Sequence, residues 1–307
     1  MLVAHSRGLV DFDAPVARYW PEFAQNGKEG ITFRHLLSHQ AGLAALDKPL
    51  DLVTASDPDA RAEVLAAQRP LWEPGTRQGY HAWTFGWCES EVLRRVDPGG
   101  RTLGRFFADE VATPLSIEFY IGLPDEIAAD RVALVHFRRR DWLRLIGQLP
   151  WRFIAAMLNP GSLTSRATRL LPGPPMGRNV DDVRVRAYAR AEIPSGFGIG
   201  QVRAVARVYG TLSTGGDKIG LRPDTVQAVG EPPTLPSGGL RDLVAHTTDL
   251  VFSLGFVKPM PGQSFGTGTG RAGVRRGGGA GMRGAPGKDA RIDALYDRLG
   301  GPAWSMC

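Results

Sequence analysis

The 307-residue sequence predicts an α+β chain, on three observations. Stretches with helical apolar spacing follow one another through most of it. A strand signal is concentrated late, in the apolar and β-branched run "LVFSLGFVKP" (residues 250–259). Hydrophobic content of 43% and charged content of 22% are those of a soluble globular protein, and the length suits one large domain or two small ones.

The elements follow in order. "GLVDFDAPVARYWPEF" predicts a helix end, a turn at Asp13-Ala14-Pro15 and a short helix carrying Val16, Tyr19 and Trp20. "ITFRHLLSHQAGL" predicts a capped helix: Thr32 is placed to accept from the first backbone N–H groups, Leu36 and Leu37 face inward, and Gly42 suits a left-handed terminator. "DARAEVLAAQRPLW" has amphipathic spacing, "EPGTRQGY" is turn-rich, and "WTFGWCESEVLRRV" and "LGRFFADEVATPL" are helical again. "IGQVRAVARVYGTLSTGG" predicts an amphipathic helix with Val202, Val205, Val208 and Leu212 on one face and a Gly215-Gly216 stop.

Two stretches break the pattern. Residues 137–158, "FRRRDWLRLIGQLPWRFIAAML", mix arginine with large apolar residues and run into "NPGSLTSRATRLLPGPPMGRN", rich in Pro, Gly and Ser. The segment is either an irregular insert with a solvated basic helix or a lid or membrane-surface element. Pro150 interrupts any single long helix there. From Gly266 to Gly287, 10 glycines and 4 arginines occur in 22 residues, a composition with almost nothing to bury as a core strand. A helical pattern returns in "KDARIDALYDRLGG".

Composition excludes several function classes. No run of 18 apolar residues appears, so a membrane-spanning helix is not predicted. The first residues, "MLVAHSRGLVDFD", lack the charged-then-apolar layout of a secretory leader, which favours a cytoplasmic or membrane-peripheral location as an expectation. Cys88 and Cys307 are too few and too far apart for a disulfide framework or a zinc site, and Cys88 reads as a small buried hydrophobe. The net charge is +6, carried by 32 arginines against 5 lysines. The arginines are scattered and form no nucleic-acid motif, so no nucleic-acid partner is expected.

Few residues offer chemistry. The six histidines form no HExxH pattern. His35 and His39 stand four apart, a spacing that can bind metal, but no third ligand accompanies them and packing roles are expected instead. There is no Gly-x-Ser-x-Gly elbow. "GTGTGRAG" lacks the remainder of a phosphate or dinucleotide loop, and no cofactor is expected. Tyr80 stands out because it follows a proline–glycine turn and precedes a helix, which can project a phenol into a cleft. Either it is a packed aromatic, or it is a base that needs a nearby cation to bring its pKa down from about 10.

Taken together, "GLVDFDAPVARYWPEF", "ITFRHLLSHQAGL", "WEPGTRQGYHAWTFGW" and "GGDKIGLRPDTV" resemble, in this order and spacing, the β-lactamase-related serine hydrolases, and within them the esterase- and lipase-like members. The resemblance covers roughly residues 1–265 and 288–299. It implies one α+β domain over 1–307, a helical subdomain on an antiparallel sheet flanked by helices. The implied reaction is hydrolysis of a small-molecule carboxylic ester or amide through an acyl-serine intermediate. Of the family's three motifs, Tyr-His is matched by Tyr80 and His81, which implies that Tyr80 is the proton shuttle and that His81 lines the site. The third, a His/Lys–Thr/Pro–Gly triplet, is diverged: Thr267 and Gly268 stand near its position as implied substrate-binding residues. The first, Ser-x-x-Lys, does not occur in these 307 residues. The family's spacing places it about a dozen residues before Met1, so the chain is expected to begin inside that helix and to be inactive as written. The alternative expectation is a non-catalytic binding protein that keeps the cleft. The Gly/Arg tract at 266–287, with family pattern on both sides, suggests a shifted reading frame.

Overall fold

The computed structural model describes residues 1–133, 146–147, 149–172 and 183–258. Thr267, Gly268, the 266–287 tract and the helix expected at 288–301 lie outside these residues, as does much of 137–148.

The first half is helical around an aromatic core. Helix α1 (Leu2–Ser6) ends ahead of Gly8, which takes φ +73°. The helix predicted around Val16–Trp20 is instead two 3₁₀ turns, Val16–Arg18 and Pro21–Phe23, because Pro15 and Pro21 each restart the chain. They place Val16, Trp20 and Phe23 in the interior with no solvent exposure. Helix α2 (Phe33–Leu37) is capped by Thr32, whose Oγ1 accepts from the His35 N–H at 3.2 Å while the Thr32 N–H donates to His35 Nδ1 at 3.3 Å. Helices α3 (Leu52–Ser56) and α4 (Pro58–Ala67) are N-capped by Asp51 and Asp57. Helix α5 (Thr84–Val96) buries Trp87, Cys88, Val92 and Leu93. Helix α6 (Leu103–Phe107) runs on through a π turn at Ala108–Ala112. Cys88 is buried, and desolvation pushes its thiol up to about 12, as suits a small core residue rather than a reactive one.

The strands are short and antiparallel. β1 (Phe119–Ile121) pairs with β2 (Gly198–Gly200), Tyr120 opposite Ile199. Between them lie helices α7 (Trp151–Leu158), α8 (Leu163–Thr168) and α9 (Val183–Arg190). α7 starts directly after Pro150, the break the sequence predicts. α8 falls in a stretch read as irregular; Ser162 caps it by accepting from the Ser165 N–H at 3.0 Å. Helix α10 (Val202–Ser213) lies inside the predicted stretch and ends at Thr214, just before Gly215; Val208 and Leu212 pack on the core as expected, but Val202, at the first turn, is 66% exposed. Helix α11 (Pro223–Gly230) meets α1, where the Ser6 hydroxyl donates to Thr225 Oγ1 at 2.8 Å.

The run read as one strand, "LVFSLGFVKP", is a hairpin: β3 (Val251–Ser253) and β4 (Phe256–Lys258) with Phe252 opposite Val257. Leu254 (φ 48°) and Gly255 (φ 82°) form the two-residue loop, positive at both positions as a type I′ turn requires. Among the described residues no helix is long and apolar enough to cross a membrane.

Candidate functional site

The site begins with a loop that has no helix or strand and no access to water. Ser38 to Leu46 are all buried, so their peptide groups need partners within the protein. The helix stops at Leu37, earlier than the sequence suggested, because His39 itself takes the left-handed conformation (φ 57°) that was expected at Gly42. Gly42 is also left-handed (φ 77°), and there a Cβ would stand 2.7 Å from the Trp72 carbonyl oxygen. The segment from Leu71 to Thr84 supplies the partners. The Leu71 N–H donates to Gly42 O at 2.8 Å, Gly75 N–H to Gln40 O at 3.1 Å and Gly79 N–H to His39 O at 3.1 Å. Thr84 Oγ1 donates to Leu43 O at 2.5 Å.

His81 closes this seam. Its Nδ1 lies 2.6 Å from Gly79 O and its Nε2 accepts from the Leu43 N–H at 2.9 Å. One ring nitrogen must donate and the other accept, which fixes a neutral imidazole with the proton on Nδ1. Burial pulls the pKa of His81 down to about 4. His81 is 1% exposed and both of its ring nitrogens are engaged by backbone, so it does not face open space. His39 is neutral as well: its Nδ1 accepts from the His81 N–H at 3.1 Å, and burial with His81 alongside holds its pKa well below the ordinary value. His35 sits in the cap of α2 and His39 beyond the helix end, so they do not share a helix face. Among the described residues no cluster of three metal-binding side chains occurs.

Tyr80 rises from this seam, half-buried, with its ring against His39 (centroids 4.9 Å apart) and stacked on Phe252 at 5.8 Å. A second anchor holds its backbone from the other side. The Tyr80 N–H donates to Asp242 Oδ1 at 3.3 Å, and the same oxygen accepts from Val244 and Ala245 at 2.9 and 2.7 Å. The neighbouring Gln78 bridges to Asp242 in parallel fashion, and its side-chain amide donates to Leu240 O and Leu250 O. Burial pushes the Asp242 carboxyl up against the pull of its three N–H donors. Asp242 Oδ2 and Gln78 Oε1 are buried with no hydrogen-bond partner among the described residues. Fixed at both ends, the turn sets the direction of the phenol. With both adjacent imidazoles neutral at pH 7, neither supplies the positive charge that would lower a phenol pKa.

Sequence reasoning singled out Tyr80 and His81, which the structure places side by side. It named His39 only as half of a His35/His39 pair with a packing role, and it did not identify Gln78 or Asp242. His39 lies inside the quoted "RHLLSHQAGL" block, so a signal was present. Asp242 is 162 residues from Tyr80, and nothing in its local pattern marks it.

Comparison with known proteins gives the family and the fold. The family model described as Beta-lactamase matches residues 1–291. Esterase/beta-lactamase LipL of Mycobacterium tuberculosis is 34% identical over 220 residues, covering 70% of this chain and 48% of LipL, so the chain spans about half the length of that relative. The crystal structure of a family VIII carboxylesterase superposes with a TM-score of 0.70 at 28% identity, covering 97% of this chain and 78% of that one. A penicillin-binding-protein homologue from Caulobacter crescentus superposes with a TM-score of 0.64 at 30% identity, covering 87% and 65%. The α+β architecture with antiparallel strands is that of these neighbours, and the chain belongs to the β-lactamase family of serine hydrolases.

Proposed function

We propose that this fold serves hydrolysis of a carboxylic ester, or of an amide, through an acyl-serine intermediate, with Tyr80 as the group that takes and returns the proton. The observation that carries this reading is the double anchoring of the Tyr80 turn, to the His39–Leu43 loop on one side and to Asp242 on the other. A proton-transfer group must be held at a fixed position, and this turn is held at both ends. His81 and Asp242 are positioning residues in this reading. The names Esterase/beta-lactamase LipL and family VIII carboxylesterase support an ester substrate, and the first also keeps an amide in the proposal.

The 307 residues contain no Ser-x-x-Lys. The proposal therefore has two parts: the chain holds the tyrosine side of a one-domain site, and by itself it does not turn over esters, because removing an acyl-accepting serine costs orders of magnitude in rate. The lysine of that motif would also be the cation a tyrosine base requires. A nitrophenyl-ester assay together with a fluorophosphonate probe tests both parts. Expected are no turnover and no labelling by the chain alone, and turnover that falls at least a hundredfold on Tyr80→Phe in a version extended by a Ser-x-x-Lys helix. Turnover by the chain alone that Tyr80→Phe leaves unchanged would remove Tyr80 from the mechanism. A binding role without chemistry is the reading left if neither form reacts.

A second reading concerns the segment around α7. Trp151 and Leu158 are 72% and 73% exposed at the two ends of this helix, while Phe153 is buried. Large apolar side chains presented beside arginine suit contact with a membrane surface.

A further inference from the structure

A cavity of about 380 Å³ opens where α4, α5 and the end of α9 meet. Its lining shares no residue with the Tyr80 cluster. At its mouth are Ser56, Ala187 and Arg190, all exposed, and at its floor are Arg61, Ser90 and Ala191, each less than 5% exposed. Arg94, Thr102 and Glu192 complete the polar wall.

The charged groups of this wall differ in how far they are satisfied. Glu192 is fully used: its carboxylate accepts from the Thr102 hydroxyl at 2.7 Å and from the Gly104 N–H at 3.1 Å, at the start of α6. Arg94 is committed through Nε and Nη2 to Glu91 and Asp59. Arg190 pairs with the exposed Asp125 at the rim through Nη2. Arg61 is different. Its side chain is 3% exposed, yet among the described residues it makes a single hydrogen bond, from Nη1 to Ala55 O at 2.6 Å. A guanidinium has five donors, and those of Arg61 that no protein group accepts from open on the cavity. The Ser90 hydroxyl on the same floor, 4% exposed, likewise makes no hydrogen bond among the described residues. Donors of two largely buried residues thus face a space large enough for a small molecule, with two further guanidiniums around it.

We propose that this cavity binds a small oxyanion, the phosphate or carboxylate group of a small molecule, with Arg61 and Ser90 as the floor donors and Arg94 and Arg190 as flanking charges. The planar fork of Arg61 suits two oxygens of one anion, and a single hydroxyl beside it suits a third contact. With Arg94 paired to Glu91 and Asp59, and Arg190 to Asp125, Arg61 is the lining guanidinium left to draw an anion. The inference does not depend on the hydrolase reading, since no residue of the Tyr80 site takes part.

Calorimetric titration of the full chain with inorganic phosphate, and separately with acetate, at constant ionic strength set by sodium chloride, tests it. One saturable site for at least one anion is expected, and the anion that binds more tightly identifies the class. Arg61→Gln should abolish that binding. If it does not fold, judged by circular dichroism, the decision rests on Arg190→Ala and Ser90→Ala, at a rim and a hydroxyl position. At least one of these should weaken binding about tenfold, the size of one charge-assisted hydrogen bond. Arg203→Ala, which removes one exposed charge that does not line the cavity, should leave affinity within twofold. Absence of saturable binding to both anions overturns the proposal. So does wild-type affinity in every folded cavity variant, or a loss in Arg203→Ala as large as in the cavity variants.

Discussion

Acidification should open the Tyr80 site through His81. In the fold its Nδ1–H donates to Gly79 O and its Nε2 accepts from the Leu43 N–H. Protonation would turn Nε2 into a donor facing a donor. The sign follows from linkage. The folded pKa of about 4 lies below the unfolded value of 6.5, so the unfolded chain takes up the proton first as pH falls. The stability conferred by the neutral ring is present above about pH 6.5 and is lost progressively down to pH 4. The full gap corresponds to roughly 3 kcal/mol, and integrating to pH 5 gives a loss of about 2 kcal/mol, or about 5 °C in Tm for a chain of this size. His81→Gln keeps an acceptor for Leu43 and cannot titrate. Urea unfolding of both proteins at pH 7 and pH 5, followed by tryptophan fluorescence, isolates the effect as a double difference in which the other titrating groups, His39 included, cancel to first order. The wild type should lose about 2 kcal/mol more than the variant over that interval. Equal losses would refute the clamp.

Three further outcomes are expected. Lys28, with no exposed surface, donates from Nζ to Gln25 O, Ala66 O and Gln68 O at 2.7–2.9 Å; Lys28→Met should cost about 2–4 kcal/mol in chemical denaturation by stranding those carbonyls. Because burial lowers its pKa to about 8, wild-type stability should rise relative to this variant between pH 8 and 10, and a constant difference would contradict that assignment. Gly42→Ala should cost about 1–3 kcal/mol, because φ is 77° and the new Cβ would meet the Trp72 carbonyl at 2.7 Å; an unchanged Tm would show that the loop relaxes freely. Trp151→Ser should reduce co-sedimentation with anionic liposomes severalfold, and equal pelleting of the two proteins would dismiss α7 as a membrane contact.

Elements whose information is local were legible in the sequence. The Thr32 cap, α4, α5 and α10 follow from capping chemistry and 3.6-residue spacing, and the break at Pro150 from a missing N–H. Elements that depend on distant partners were not. β1 and β2 are three residues each, and Phe119 and Gly200 lie too far apart for any window to join them. The hairpin was read as one strand because Leu254 is an unusual occupant of a positive-φ turn position, so no turn signal interrupts the apolar run. In the site, Tyr80 was visible from its turn and its family motif. The anchors on either side were not, since a buried Asp242 and a left-handed His39 are defined by what packs on them.

The sealed loop at residues 38–46 has a consequence for how the chain can be altered. Most connections without regular structure accept added residues, because their peptide groups already face water. Here Leu43, Gly42, Gln40 and His39 are bonded to the segment 71–84 at one-residue resolution. One extra residue would displace every partner downstream of it by about 3.5 Å. Peptide tags, permuted termini or inserted reporters belong on the exposed surface at Glu231–Pro232, and an insertion scan would find its sharpest intolerance in a stretch that carries neither helix nor strand.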